Sequence, residues 1–157
     1  MSALVPPEGH VVDGVHHFAI RVYYEDTDAG GIVYYANYFK FCERARTEFL
    51  RCCGIVHERL LAENGLTLAV RRAEIDFLVP ARLDDALVVR SRLVAAAGAT
   101  LDMAQEVRRE DAVLARMQLR IACVGSGGRP RRLPPALATT VLSLIPPERT
   151  RVPEDAR

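Results

Sequence analysis

The part of the sequence with the most reactive side chains lies between residues 24 and 37. It holds three carboxylates within four residues, followed by two glycines: Glu25, Asp26, Asp28, Gly30 and Gly31. Glycines allow a ligand to approach the backbone, and unpaired N–H groups at a helix start can polarise a carbonyl group. A carboxylate at such a place could attack the carbonyl carbon or activate water for the attack. These residue types therefore suit acyl transfer.

Two other interpretations of the same segment need weighing. Asp and Gly are the commonest turn residues, so composition alone favours an ordinary turn. Asp-x-Asp can also hold Mg²⁺ or Ca²⁺, which makes a metal loop the third candidate. On the calcium-loop pattern, however, Gly30 stands where Asp or Asn is required, and Asn37 stands where the bidentate Glu is required. The sequence therefore predicts neither a metal site nor a cofactor here.

The segment lies between a predicted strand and a predicted helix. Apolar residues alternate from Phe18, which indicates a strand with one buried face. After the segment, Asn37 is predicted to cap a helix that Gly54 ends. Apolar side chains recur in this helix at three- and four-residue spacing: Tyr38, Phe41, Cys42, Ala45, Phe49 and Cys52. Phe39 widens that stripe, so we expect the helix to be buried.

The rest of the chain has the pattern of four strands between two shorter helices. A helix is expected near residues 57–63, and another from about 134 to 145, after paired prolines. The strand pattern covers residues 66–79, 86–94, 100–108 and 113–124. In the first of these, the buried parity shifts around Arg71 and Arg72, which predicts a bulge.

This order predicts an α+β fold, an antiparallel sheet of about five strands packed on one long helix. We expect residues 1–14 to form a flexible arm, residues 15–145 a single domain, and residues 146–157 a flexible tail. One sheet around one helix leaves edges and apolar surface uncovered, so a homodimer is the smallest assembly expected.

Composition limits the partners and the location of the protein. The 157 residues carry 21 Lys plus Arg and 20 Asp plus Glu, a net charge of +1 that gives no support for nucleic-acid binding. No secretory leader and no run of eighteen apolar residues is present, which predicts a cytoplasmic protein without an integral membrane segment. The four cysteines lack disulfide or zinc spacing and are expected to be reduced.

The run from Tyr24 to Tyr38, YEDTDAGGIVYYANY, resembles the signature of the 4-hydroxybenzoyl-CoA thioesterase family. The run ERARTE at residues 43–48 looks like the Tol-Pal-associated acyl-CoA thioesterase branch of that family. The similarity extends from about Phe18 to Val124. It implies the hotdog fold, in which an antiparallel sheet wraps around one long helix and dimers form through sheet edges, often pairing into homotetramers.

The resemblance also implies roles for particular residues. Asp28 matches the catalytic carboxylate, as nucleophile or general base, and Asp26 is then expected to orient the loop. The thioester carbonyl would lie at the helix start, polarised by a backbone N–H near Tyr35. Gly30, Gly31 and Asn37 are expected to border the substrate.

Position 35 departs from the branch pattern, and the basic turn is open to two interpretations. The Tol-Pal-associated branch has histidine where this chain has Tyr35, while the 4-hydroxybenzoyl branch has tyrosine, so the acyl preference stays open. Three arginines follow the glycine-rich turn and suit the phosphates of CoA, or form a solvated basic turn: Arg129, Arg131 and Arg132.

The sequence thus predicts an acyl-CoA thioesterase that uses Asp28 and no cofactor. Acyl carrier protein is an alternative thiol carrier, and a non-catalytic acyl-binding or envelope-complex scaffold of the same fold is the alternative function. A hotdog hydratase needs a histidine near the helix, and none occurs between His17 and His57.

Overall fold

The computed structural model describes residues 3–147, which form one antiparallel sheet and three helices. The strands are β1 (His10–Val12), β2 (Val15–Arg21), β3 (Thr67–Phe77), β4 (Ala86–Ala97), β5 (Thr100–Arg109) and β6 (Ala112–Val124). The helices are α1 (Ala36–Cys52), α2 (His57–Asn64) and α3 (Pro135–Leu144), and 3₁₀ turns occupy Tyr24–Asp26 and Ser126–Gly128.

The strand order in the sheet is β1-β2-β4-β5-β6-β3, and every neighbouring pair is antiparallel. The first and third strands therefore form the two edges. Helix α1 packs against β1, β2, β4 and β5 on one face of the sheet. The α+β hotdog arrangement expected from the sequence is confirmed.

The sheet has six strands and not about five, because it begins earlier in the chain than expected. Residues 10–12, inside the segment expected to be a flexible arm, pair with β2 through a tight connection at Asp13 and Gly14. Gly14 has a φ of 77° and Asp13 a φ of 51°, so the turn uses left-handed backbone at both positions. The missed strand is short, and its edge position leaves little apolar pattern in the sequence.

The predicted bulge in β3 is confirmed. The register with β6 shifts between Val70 and Arg72, so one residue of β3 has no partner there. This shift keeps Leu68 and Val70 on the same face as Ile75 and Phe77, although their sequence parity differs. A long edge strand thus turns one apolar face towards α1.

Helix α1 is the buried centre of the fold. Five side chains of the predicted stripe are buried: Tyr38, Phe41, Cys42, Ala45 and Phe49. The sixth, Cys52, is exposed at the end of the helix, and Leu50 is buried instead. The helix ends at Cys52, and Gly54 follows with a φ of 82°, a conformation that glycine adopts without the cost of a Cβ atom. Phe39, which was expected to widen the buried stripe, is 39% exposed. The helix is therefore not buried on all sides.

A buried polar group fixes α1 against the sheet. The Gln105 amide on β5 donates to the carbonyl of Cys42 on α1 at 2.9 Å and to Ser91 Oγ on β4 at 2.9 Å. Its oxygen accepts a hydrogen bond from Arg46 of α1 at 3.1 Å. Gln105 and Ser91 are buried, and both side chains find partners, as buried polar groups require.

The remaining elements follow the predictions closely. Gly65 with a φ of 64° ends α2, and α3 begins at Pro135. All four cysteines are free, and Cys52 alone among them is exposed. None of the helices within residues 3–147 has the length and apolar character needed to cross a membrane. Most of the expected flexible tail, residues 148–157, lies outside the described residues.

Candidate active site

Asp28 lies in a tight turn between β2 and α1. The turn is closed by a hydrogen bond from the Asp28 N–H to the Ile32 carbonyl and by one from the Gly31 N–H to the Asp28 carbonyl, both 3.0 Å long. Thr27 and Val33 form a β-bridge just outside these bonds. The backbone of this loop is therefore fixed by its own hydrogen bonds.

The Asp28 carboxylate is exposed and held from one side only. Its Oδ1 accepts a hydrogen bond from the Gly30 N–H at 2.8 Å, as in an Asx turn. Its other oxygen accepts no hydrogen bond from any described residue. The turn interpretation and the catalytic interpretation are thus compatible, because the turn leaves one carboxylate oxygen available to a ligand.

The two glycines are required by this geometry. A Cβ atom on Gly30 would lie 3.1 Å from Asp28 Oδ1, which is a tight contact. Gly31 has a φ of 74°, where other residues are strained, while the space beside it is open. Gly30 thus lies directly beside the carboxylate, and Gly31 leaves open space next to it.

Asp26 ties the loop to the start of α1. The side chain is buried, and its Oδ2 accepts a hydrogen bond from the Tyr23 N–H at 2.8 Å. Its backbone carbonyl accepts hydrogen bonds from the Tyr34 N–H at 2.9 Å and from the Asn37 side-chain amide at 2.8 Å. These bonds support the expectation that Asp26 orients the loop.

The prediction that Asn37 caps α1 is wrong. The helix begins at Ala36, Tyr35 is the N-cap residue, and no side chain of residues 3–147 caps it. Asn37 lies inside the first turn, and its buried amide donates to Asp26 instead. Within residues 3–147, the Tyr35 N–H has no hydrogen-bond acceptor, so it is available to polarise a bound carbonyl.

An aromatic cluster stands beside the loop. The rings of Tyr34 and Tyr35 are 4.9 Å apart, and Phe77 lies 6.1 Å from Tyr35 and 5.4 Å from Tyr38. The hydrogen bond with Tyr35 raises the pKa of the Tyr34 phenol, and the negative charge of Asp28 raises it further. Sequence reasoning missed Phe77, because only the strand order brings the end of β3 to α1.

The three arginines lie at the opposite end of the sheet from Asp28. The turn that carries them is paired with the end of β6, through Val124 and Pro130, next to the start of β3. Phe77, at the other end of β3, contacts Tyr35. Ten residues of strand separate these ends, roughly 30 Å. One chain therefore does not bring Arg129, Arg131 or Arg132 to Asp28.

Known proteins share both the sequence and the fold of this chain. Residues 22–155 match the thioesterase-like superfamily. The chain is 43% identical over 117 residues to the acyl-CoA thioesterase YbgC of Haemophilus influenzae, covering 74% of this chain and 86% of the relative. It is 40% identical over 120 residues to the acyl-CoA thioester hydrolase YbgC of Escherichia coli, with shares of 75% and 89%.

A solved structure agrees with these relatives. The crystal structure of a probable thioesterase from Bartonella henselae superposes with a TM-score of 0.73 and is 38% identical. The superposition covers 76% of this chain and 99% of that one, so the shared region is the whole of the smaller protein. The chain belongs to the thioesterase-like superfamily, and it is a thioester hydrolase with the hotdog fold.

Proposed function

We propose that the protein hydrolyses acyl-CoA thioesters to a free acid and CoA. The names of the two YbgC relatives support the substrate class. One local observation carries the proposal. The loop that its own hydrogen bonds fix places Asp28, with one carboxylate oxygen that accepts no hydrogen bond from a described residue, just before the uncapped N-terminus of α1. Both parts that acyl transfer requires thus come from one stretch of about ten residues.

In the proposed reaction, the thioester carbonyl oxygen accepts a hydrogen bond from the Tyr35 N–H. The positive end of the α1 dipole adds to this polarisation and stabilises the oxyanion as it develops. Asp28 then attacks the carbonyl carbon, or it takes a proton from a water molecule that attacks. The CoA thiolate leaves in either case and takes up a proton. In the first route a water molecule then cleaves the mixed anhydride between Asp28 and the acyl group, which releases the free acid and regenerates the carboxylate; in the second route the attacking water supplies the new oxygen of the acid directly.

We propose that a second copy of the chain completes the site. The outer edge of β3 has no partner strand among the described residues. Apolar side chains at and after this edge are exposed by 40–49%: Val70, Phe77, Leu78 and Val79. Antiparallel pairing of two β3 edges would cover these side chains and would bring the Thr67 end of one copy to the Phe77 end of the other.

Such a dimer would also place the partner's basic turn nearer to Asp28. Arg129 and Arg131 of the second copy are then the proposed contacts to CoA phosphates, since guanidinium groups bind phosphate bidentately. Arg132 was expected to join them, but it also lines a separate cavity. The proposed catalytic unit is a single domain that starts at β1, so it includes part of the expected arm.

The finer assignment is to the Tol-Pal-associated branch of the 4-hydroxybenzoyl-CoA thioesterase family. The YbgC relatives and the ERARTE run support this branch. Tyr35 and its aromatic neighbours Tyr34 and Phe77 are the proposed contacts of the acyl group, whose length and aromatic or aliphatic nature the hydrolysis panel determines. A cytoplasmic location and pairing into tetramers stay predictions.

A hydrolysis panel tests the proposal. The purified protein is incubated with acyl-CoAs of increasing chain length, with one aromatic acyl-CoA, and with one acyl chain on acyl carrier protein. Thiol release is followed for each. We expect turnover of at least one acyl-CoA well above the uncatalysed rate. If no thioester is hydrolysed while the protein still binds acyl-CoA, the chain is an acyl-binding scaffold and the proposal fails.

A further inference from the structure

A cavity of about 320 Å³ lies at the end of the sheet away from Asp28, between α3 and the turn that joins β4 to β5. Its inner wall is made of buried apolar side chains: Leu101, Cys123 and Val141. Ala138 and Leu142 of α3 form the opposite wall, and Arg132 stands at the boundary. Pockets for small ligands have this size and composition, mostly apolar with a few polar groups.

The cavity exists because the turn carries almost no side chains. Residues 96–99 are Ala, Ala, Gly and Ala, so nothing longer than a methyl group extends from them towards α3. Protein interiors are normally packed without voids of this size, and filling one usually stabilises a fold. Leu142 on the α3 wall is also 55% exposed, so an apolar surface is open to an apolar ligand.

The charge at the cavity defines the ligand further. Arg132 is exposed and forms neither an ion pair nor a side-chain hydrogen bond with any residue between 3 and 147. Among residues 3–147, no carboxylate lines the cavity. An apolar body with one carboxylate at its end would fill the cavity and pair with the guanidinium group.

We propose that this cavity binds a free aliphatic carboxylate at a site separate from Asp28. The acid is the chemical class released by the proposed hydrolysis, so its supply within the cell rests on the proposed function, while the binding itself does not. Occupancy of the cavity would then rise with the concentration of the product acid, while the loop that carries Asp28 stays free.

Titration calorimetry with decanoate and with 1-decanol tests the proposal. Wild type is expected to bind one decanoate per chain and to bind 1-decanol at least tenfold more weakly. Ala138→Leu fills the cavity and should weaken decanoate binding at least tenfold. Ala136→Leu lies on the exposed side of the same helix, outside the cavity lining, and should leave it unchanged.

Arg132→Gln should leave the fold intact, because the Arg132 side chain is exposed. It should abolish the preference for decanoate over 1-decanol, whereas Arg129→Gln in the same turn should retain it. Asp28→Asn should bind decanoate like wild type. The proposal is overturned if decanoate binding survives both Ala138→Leu and Arg132→Gln, or if it is lost in Asp28→Asn. If the protein binds decanoate as expected but hydrolyses no acyl-CoA, the proposed function is wrong and the proposed binding site stands.

Discussion

The backbone and the side chain of Tyr35 have separate proposed roles. Within residues 3–147 its backbone N–H has no acceptor, and its ring makes a tilted contact with Tyr34 and an edge contact with Phe77. A substitution of the side chain leaves the backbone donor in place. The phenol is therefore expected to position the acyl group and to take no part in proton transfer.

We predict that Tyr35→Phe keeps most of the turnover. The ring contacts persist, and loss of one hydrogen bond costs about 1 kcal/mol, or about fivefold in kcat/KM. Steady-state kinetics on two acyl-CoAs would check this, with Tyr34→Phe as the matched control because Tyr34 is the neighbouring phenol of the same aromatic cluster. A loss in Tyr35→Phe as large as that in Asp28→Asn would mean that the hydroxyl takes part in the reaction.

The sequence predicted the turn of the candidate site better than it predicted the contacts of its residues. Asp28, Gly30 and Gly31 occupy the predicted loop, since their spacing dictates a local turn. Asn37 was assigned the wrong partner because a capping bond and a bond to Asp26 give the same local sequence pattern. The aromatic neighbour Phe77 depends on long-range strand order, which local patterns do not contain.

At the scale of elements, the contact between α1 and the sheet depends on one buried amide. Gln105 joins α1, β4 and β5 through three hydrogen bonds. An apolar core could slide, whereas a fully satisfied polar group accepts one arrangement. The position of the α1 start beside Asp28 therefore depends on this group as well as on core packing.

Gln105→Leu should lower the free energy of unfolding by about 1–3 kcal/mol, because it leaves Ser91 and Arg46 without their partner in a buried place. Urea unfolding measures the change. Gln118→Leu is the control, since Gln118 is exposed on β6 and makes no side-chain hydrogen bond with a described residue. Equal stability of wild type and Gln105→Leu would show that packing alone fixes α1.

The β1–β2 hairpin contains three of the four histidines. His16 is buried against Phe49, and its Nε2 lies 2.7 Å from the Glu8 carbonyl oxygen. Its Nδ1 has no partner in the part of the chain that the structure describes. Burial lowers the pKa of His16; the Glu8 carbonyl and Glu48 oppose the shift, and His10 adds to it. Burial and the charge of Arg90 lower the pKa of His17.

The free energy of unfolding should therefore decrease as the pH falls through the range in which histidine titrates. Unfolded histidines take up protons below about pH 6.5, while His16 and His17 resist protonation in the folded chain. The contribution of these two histidines to stability is complete above about pH 6.5. It is lost as the pH falls towards and through their lower pKa values in the folded protein. Urea unfolding at fixed protein concentration between pH 7.5 and 5.5 should show this slope, and His16→Phe, which keeps the stack, should flatten it. An unchanged slope would refute the role of His16.

Most elements were predictable because their apolar periodicity is local, and β1 was not. Helix α1 carries its pattern over 17 residues, and the β3 bulge appears directly as a parity shift. Strand β1 has three residues at an edge, and its pairing with β2 decides its conformation. The sixth strand thus depends on tertiary pairing that a three-residue pattern cannot indicate.

At the scale of the whole molecule, the uncovered edge of β3 is the feature that a single chain leaves unexplained. Val70 is 49% exposed and Phe77 48%, although both lie on the face that turns towards α1. Apolar side chains at an open strand edge favour pairing with another strand. In the proposed dimer, the open edge of β3 pairs with the same strand of the second copy. One interface then connects the two loops that carry Asp28.

The protein is expected to be a dimer or larger by light scattering, and Val70→Lys should shift it towards monomer, because a lysine on an edge strand opposes strand pairing. Turnover should fall together with the dimer fraction if the second copy completes the site. Val88→Lys is the control, as Val88 is 36% exposed on β4 in the sheet interior. A stable, fully active monomer would contradict the proposed assembly.

The turnover of Asp28→Asn tests directly whether Asp28 is the catalytic carboxylate. The amide is nearly isosteric with the carboxylate but cannot act as nucleophile or base, so kcat should fall by about 10²- to 10⁴-fold while the fold and the oligomer persist. Glu25→Gln, an exposed carboxylate three residues away, should retain wild-type turnover, and Asp26→Asn should lose less than Asp28→Asn. Near wild-type turnover in purified Asp28→Asn would contradict the assignment of Asp28 as the catalytic residue.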